Sequence, residues 1–418
     1  MATEHDTLAR RSATAEASLR GPLAFAIGCF LIWGLAYGLL DVLNKHVQET
    51  LHVGKAQSAW LQMAYFGAYL AMSLPAGSLL QARSYRFGIV FGLGVTALGA
   101  LLFIPAAQAG DFRFFVGSMF VLATGLCFLE TAADTYVNVL GPPKHASRRL
   151  NLAQSFNALG VFFGPLIGGS LFFGGAMTEA VGGEQRAVQA TYAVIAVLVL
   201  IFAAVVGRAH LPDVDHPDHG DLAGEAVSAP RLRAQQHFVF GVITQALYVG
   251  AQVGIGAYFI NLAVETWPGL TSQQGAFLLS VATAGYLIGR FVTTALLLRF
   301  PPRRILTLYG LVNVALCLVV ATGMEKVSAL ALTAVFFFMS TMFATIFALG
   351  VAGLGAGTRR ASSMMVMAIG GGVLLPWPMG RIAELYGTPA AFLLPAACFA
   401  VVALYGWKGA APATARAT

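Results

Sequence analysis

Three acidic residues stand where acids are costly. Asp41 ends the run Trp33-Gly34-Leu35-Ala36-Tyr37-Gly38-Leu39-Leu40, and Glu130 and Asp134 interrupt Gly125-Leu126-Cys127-Phe128-Leu129-Glu130-Thr131-Ala132-Ala133-Asp134. An ionised side chain at bilayer depth costs at least ~2.5–3.5 kcal/mol on insertion scales, so one kept there points to a function. No lysine or arginine lies one helical turn from Glu130 or Asp134, so a local ion pair does not account for them. Glu130, Asp134 and Asn138 follow at intervals of four and share one helix face, and Tyr37, Asp41 and Asn44 form a similar stripe. Such stripes belong against a water-filled cavity rather than against lipid. A carboxyl group in a poorly solvated cavity can hold a proton near neutral pH and release it once water arrives. Asp41 and Glu130 are therefore the candidate proton-coupling residues. Asp134, one turn nearer the inner surface, is a candidate for gating or a structural role.

Neutral polar groups supply a second chemistry. Asn151, Gln154 and Asn157 follow at helical spacing, as do Gln245, Tyr248 and Gln252, and Gln62, Tyr65 and Tyr69. Amides both donate and accept hydrogen bonds, and aromatic faces pack against the apolar side of a sugar ring. A cavity lined this way suits a ligand covered with hydroxyls. The competing reading is helix-to-helix hydrogen bonding, which membrane bundles use widely. The candidate substrate-binding set is Tyr37, Asn44, Gln154, Asn157, Gln245 and Gln252. Arg290, in Gly289-Arg290-Phe291, is a candidate for gating or structural pairing, and Arg381 and Glu384 are spaced to pair with each other.

The elements that must position these residues are membrane helices. Of the 418 residues, 58% are hydrophobic and 10% charged, against ~25% charged in a soluble domain. The 47 glycines fit close helix packing in lipid. Runs of ~20 apolar residues fall near 23–45, 58–80, 86–107, 113–138, 150–174 and 188–208, then near 237–262, 274–298, 304–323, 328–350, 361–384 and 389–408. These spacings predict an all-α integral membrane protein with six helices in each of two halves, 23–208 and 237–408. Residues 1–22 and 409–418 are read as tails and 209–236 as a polar linker. The linker's acidic, His-bearing run from Asp213 to Asp221 lacks cysteine and helical period and is read as solvated rather than metal-binding. Most lysines and arginines fall in segments that share a side with the N-terminus, whereas Lys45, Lys55, Arg113, Arg186 and Lys326 fall opposite. By the positive-inside rule both termini are cytoplasmic. The first residues carry Arg10, Arg11 and Arg20 and no cleavage site follows the first apolar run, so this segment reads as a tail and not as a removed signal. The halves echo each other: Gly160-Val161-Phe162-Phe163-Gly164-Pro165 aligns with Gly371-Gly372-Val373-Leu374-Leu375-Pro376, and Tyr69-Leu70 with Tyr286-Leu287.

Several classes are excluded. The net charge of +7 is scattered between apolar runs without a basic face, so nucleic acid is not a partner. Cys29, Cys127, Cys317 and Cys398 lie in apolar runs without metal-ligand spacing and read as reduced, buried residues; no metal is called for. No serine–histidine pairing, His-Glu-x-x-His run or large extramembrane domain suggests an enzyme, and no nucleotide-binding loop suggests drive by ATP. A non-transporting membrane sensor stays as an alternative, although such a protein usually carries a signalling domain and none is evident here. The driving force is then an ion gradient, with no cofactor. The partners are a small molecule, protons and the bilayer, and a monomer is expected.

Five stretches carry a resemblance: Phe30-Leu31-Ile32-Trp33 with Asp41, Ser73-Leu74-Pro75-Ala76-Gly77, Leu129-Glu130-Thr131-Ala132-Ala133, Val139-Leu140-Gly141-Pro142, and Arg149-Leu150-Asn151-Leu152-Ala153-Gln154-Ser155-Phe156-Asn157. Tyr248-Val249-Gly250-Ala251-Gln252 and Thr345-Ile346-Phe347 agree in the second half. The chain resembles the fucose:proton symporter family of the major facilitator superfamily. That resemblance implies two six-helix bundles that rock around a central site. It implies proton symport of a hexose or 6-deoxyhexose, L-fucose first, at the bacterial inner membrane. It also implies that Asp41 and Glu130 are the cavity carboxylates, with Gln154 and Asn157 as amide ligands. Tyr37-Gly38-Leu39-Leu40 and Phe343-Ala344 are less polar than the family pattern at those places, so glucose or galactose stay open as alternatives.

Overall fold

The computed structural model describes residues 2–140, 146–174, 179, 182–209, 235–354 and 358–409. The described chain is nearly all helical, and twelve helices are long and apolar enough to cross a membrane. They are α1 (Gly21–Thr50), α2 (Lys55–Leu80), α3 (Tyr85–Ala109), α4 (Phe112–Val137), α5 (Leu152–Phe172), α6 (Arg186–Arg208), α7 (Gln236–Thr266), α8 (Ser272–Leu297), α9 (Pro302–Ala321), α10 (Glu325–Val351), α11 (Ala361–Tyr386) and α12 (Thr388–Gly409). An even number of spans returns the chain to the side where it began. That side is called the terminal face below and the opposite one the distal face. The expected linker, 209–236, lies almost wholly outside the described residues, as do the side chains of Asn138 and Asn151.

Local chemistry sets the turns. Gly110 ends α3 in the left-handed region (φ 61°), where its N–H reaches the Ala106 carbonyl at 3.1 Å. The Asp111 carboxylate then accepts the Arg113 N–H at 2.9 Å and starts α4. Thr271 and Gln274 cap each other reciprocally at the start of α8.

Small residues set the packing within each half. A side chain at Gly164 would meet the Gly38 backbone at 2.6 Å, and one at Gly160 would meet the Leu31 carbonyl at 2.5 Å, so α1 and α5 lie backbone against backbone. Gly250 of α7 and Gly371 of α11 repeat this in the second half, with the Gly371 carbonyl at 3.0 Å from a Cβ built at Gly250. The α1–α5 and α7–α11 pairs are equivalent, as the aligned Gly-Pro segments lead one to expect. Helices α3, α4 and α6 pack together in the first half, and α9, α10 and α12 in the second.

Three of the spans depart from the sequence expectation. Helix α1 continues to Thr50, so Lys45 and His46 belong to it. His46 is buried, with its ring centroid 5.1 Å from that of Phe172. Helix α10 breaks between Met339 and Met342, and α11 passes through a 3-10 turn at Ala368–Val373 that holds the glycine run. Interrupted helices at mid-depth free backbone groups where a transporter keeps its site.

Candidate functional site

The two halves meet along α1–α7, α5–α8 and α2–α11. From mid-depth outward the contacts tighten. Leu70 and Phe66 of α2 lie against Gly370 and Gly372 of α11. Next, the Asp41 carboxyl lies directly on Gly256 of α7: a Cβ built there would sit 2.5 Å from Oδ2 and 3.2 Å from Oδ1. One turn farther, the Asn44 amide donates to the Ala257 carbonyl at 2.8 Å. Beyond that, the Asn261 amide donates to Gln48 Oε1 at 2.6 Å and Gln48 donates to Ser58 at 2.8 Å. At the distal rim Lys55 bridges Glu265 at 2.6 Å and Thr388 at 2.7 Å. Glu384 there accepts the Ala56 N–H at 2.9 Å, and Ser272 donates to Glu49 at 2.6 Å.

Among the described residues, α4 and the terminal halves of α10 and α11 make no extensive contact with the opposite bundle. Among the described residues, the bundles are thus joined at the distal face, and their contacts thin out toward the terminal face.

Aromatic residues from both halves gather just on the terminal side of Asp41. The Tyr37 ring lies 6.0 Å from Tyr65 and 6.2 Å, edge-on, from Phe66, and Tyr65 stacks on Tyr69 at 5.3 Å. Tyr286 of α8 and Tyr248 of α7 are within electrostatic reach of Tyr37 across the interface. Tyr248 donates to the Met339 carbonyl at 2.9 Å, at the break in α10. Glu130 faces Tyr65 and Tyr69 and lines a cleft with Cys29, Phe30, Trp33 and Ala133 that is too narrow for a water molecule. Its Oε2 is buried without a hydrogen-bond partner. Asp134 lies one turn away and interacts with Glu130. Lys45, four residues past Asp41, turns instead to Glu49 at 3.1 Å. The two carboxyls flank one wall of phenols, Tyr37, Tyr65 and Tyr69.

The other candidates divide. Gln154, Asn157 and Gln252 are half-buried. Asn157 also donates to the Phe30 carbonyl at 3.3 Å, so part of its capacity goes to α1. Asn44 is fully buried, with its amide committed to α7. Gln245 is fully buried, and neither of its amide atoms has a hydrogen-bond partner. Arg290 sits 5.5 Å from the Tyr286 ring centroid, a cation–π contact at the edge of the aromatic group. Arg381 and Glu384 pair at 3.0 Å, as their spacing suggests.

The site residues absent from the candidate set are Gln62, Tyr65, Tyr69, Tyr248, Tyr286, Gly256 and Lys55. Gln62 faces Asp41 from α2, within hydrogen-bonding reach, and is fully buried. The regular spacing of Gln62, Tyr65 and Tyr69 was its available signal. Gly256 carries no side chain to flag, and Lys55 looked like an ordinary loop charge.

Twelve helices in two pseudo-symmetric bundles, joined on one side beyond half-buried acids and phenols, define a secondary transporter of the alternating-access kind. The Major Facilitator Superfamily profile matches residues 25–362. The L-fucose-proton symporter of Escherichia coli K12 is 36% identical over 403 residues, 92% of each chain. A glucose/galactose transporter of Brucella abortus is 35% identical over 381 residues, 91% of this chain and 92% of its own. The crystal structure of the Major Facilitator Superfamily transporter FucP in the outward conformation matches with a TM-score of 0.67 at 33% identity, covering 94% of this chain and 99% of that one. The chain belongs to the Major Facilitator Superfamily.

Proposed function

We propose that the protein is a proton:sugar symporter of the bacterial inner membrane, carrying a hexose or 6-deoxyhexose by alternating access. The observation that carries this reading is the pair of half-buried acids, Asp41 and Glu130, set on either side of one wall of phenols, Tyr37, Tyr65 and Tyr69. Enclosing an ionised carboxylate with no cation beside it is costly, whereas a protonated one is enclosed readily. The acids therefore give the bundles a reason to close only when loaded. The amide of Gln62 and the phenol of Tyr69 stand beside the two acids, and the amide of Gln245 holds hydrogen-bonding capacity that the protein itself does not use. Buried polar groups left in that state call for a partner, and a sugar's hydroxyls supply one. Gln154, Asn157 and Gln252 would line the approach, and Asn44 would act in closure.

The lysine and arginine distribution puts the terminal face, with both chain ends, in the cytoplasm. The distal face is then periplasmic, and the structure corresponds to a state open inward. Asp134 and Arg290 sit on the inner side of the site, where gating contacts belong. One chain holds both bundles and a whole pathway, so the transporting unit is a monomer. The proton gradient is the only energy source required.

Two relatives name L-fucose and glucose/galactose at nearly equal identity, and L-fucose is the first sugar to test. In vesicles with an imposed pH gradient, acid outside, labelled L-fucose should accumulate, and collapse of the gradient should abolish accumulation. Uptake driven by sodium and indifferent to pH rejects proton coupling. Competition by glucose or galactose, with no competition by unlabelled L-fucose for a labelled hexose, assigns the other substrate class.

A further inference from the structure

The contact between Asp41 and Gly256 joins the proposed proton site to the surface along which the halves close. Both carboxyl oxygens and Cγ lie within 3.2 Å of where a Cβ at position 256 would stand. Any side chain there would displace the carboxyl. The neighbouring Asn44–Ala257 and Asn261–Gln48 bonds show that this stretch of α7 is what α1 closes upon. The carboxyl is therefore the innermost member of the distal seal and the only acidic one at that depth among the described residues; Glu49, Glu265 and Glu384 lie at the rim.

We infer that Gly256 is a positioning residue: it provides the seat for the Asp41 carboxyl on α7, and through that seat the proton on Asp41 controls closure of the distal face. This rests on the proposed role of Asp41 as a proton site. An ionised carboxylate pressed onto the α7 backbone would lose its water without gaining a cation, so α1 and α7 would part. A protonated one can donate to or accept from its neighbours and lets them close. The groups around Asp41 leave it as the titrating member. On α1 these are Tyr37 and Lys45, the latter held by Glu49. On α2 they are Gln62 and Tyr65. On α4, Glu130 faces Tyr65 and Tyr69. On α7 the Tyr258 hydroxyl is taken up by the carbonyls of Lys55 and Pro376. On α8, Tyr286 faces Tyr37. Helix α5 meets α1 here through Gly164, Pro165 and Gly168, which do not titrate.

The test uses the full-length protein in lipid vesicles, with spin labels on cysteines introduced at the exposed distal positions Ala109 and Pro268. The inter-label distance distribution reports the fraction closed between pH 5 and pH 8. The closed fraction should rise as pH falls. Gly256→Ala should lower the closed-to-open ratio at acid pH by about tenfold and flatten the pH profile. Asp41→Glu, which pushes the carboxyl toward α7 from the other side, should do likewise with Gly256 intact. The double variant Gly256→Ala/Asp41→Ala should close again at every pH, because the displaced group is gone. A wild-type profile in Gly256→Ala overturns the seat. Failure of Asp41→Ala to restore closure overturns it too, since alanine would then act through general packing. Uphill sugar uptake by Asp41→Asn is measured alongside. Uptake that persists removes Asp41 from proton coupling, whereas uptake lost together with an unaltered Gly256→Ala profile removes only the seat.

Discussion

Replacing Lys55 by methionine should weaken the distal closure by an amount the structure allows one to estimate. The Lys55 ammonium bridges Glu265 at 2.6 Å and the Thr388 hydroxyl at 2.7 Å, both on the opposite bundle. The lysine and glutamate side chains are 22% and 37% exposed, so solvent screens much of the pair. Exposed ion pairs are worth ~0–1 kcal/mol, and this half-shielded one belongs near the top of that range. The bond to Thr388, itself fully buried, adds about 1 kcal/mol. Methionine keeps the apolar stem and removes both interactions, a loss of ~1–2 kcal/mol. At 1.4 kcal/mol per tenfold this shifts the closed-to-open ratio by roughly 5- to 30-fold. A cysteine at Val53, which lines the distal vestibule, should then react with a membrane-impermeant maleimide correspondingly faster in vesicles. Raising the salt to ~1 M should reproduce part of the effect in the unmodified protein. Lys326→Met is the control, because its cation–π contact with Trp267 lies within the second half and does not span the halves. Unchanged labelling in Lys55→Met, or an equal change in Lys326→Met, refutes the argument that Lys55 fastens the gate.

Two further outcomes follow from the same geometry. Glu130→Gln keeps the size of the side chain and removes its proton, so sugar counterflow should persist while uphill accumulation falls to about unity. A gradient of ~150 mV supplies about 3.5 kcal/mol per proton, enough for accumulation of a few hundredfold, so the difference is easily read with labelled sugar, and wild-type accumulation removes Glu130 from coupling. Gly164→Leu drives a side chain into the Gly38 backbone, 2.6 Å from the first added carbon, and overpacking of that kind costs about 1–3 kcal/mol or more. Its thermal midpoint in detergent should drop by several degrees, whereas Gly67→Ala, with nothing within 4 Å, should leave it unchanged; equal midpoints would deny the α1–α5 contact its structural weight.

The twelve spans were legible because a membrane helix announces itself by length and apolarity, which need no knowledge of neighbours. The acids were legible for a related reason: Asp41 and Glu130 break runs that lipid would keep uniform, and each segment shows the anomaly by itself. What sequence could not reveal was what each polar group faces. Asn44 and Gln154 look alike as amides one or two turns from a key residue, yet the first is spent on the Ala257 carbonyl and the second stays half-buried near the opening. Lys55 and Arg381 look alike as charges near helix ends, yet one crosses the halves and the other pairs within its own helix. Gly256 is the extreme case, since its contribution is the absence of a side chain beside an acid 215 positions earlier in the chain. Local pattern identifies the groups that need a reason to be in the membrane. Only the meeting of the two bundles separates those proposed to move protons and sugar from those that fasten the halves, and α1 carries one of each, Asp41 one turn from Asn44.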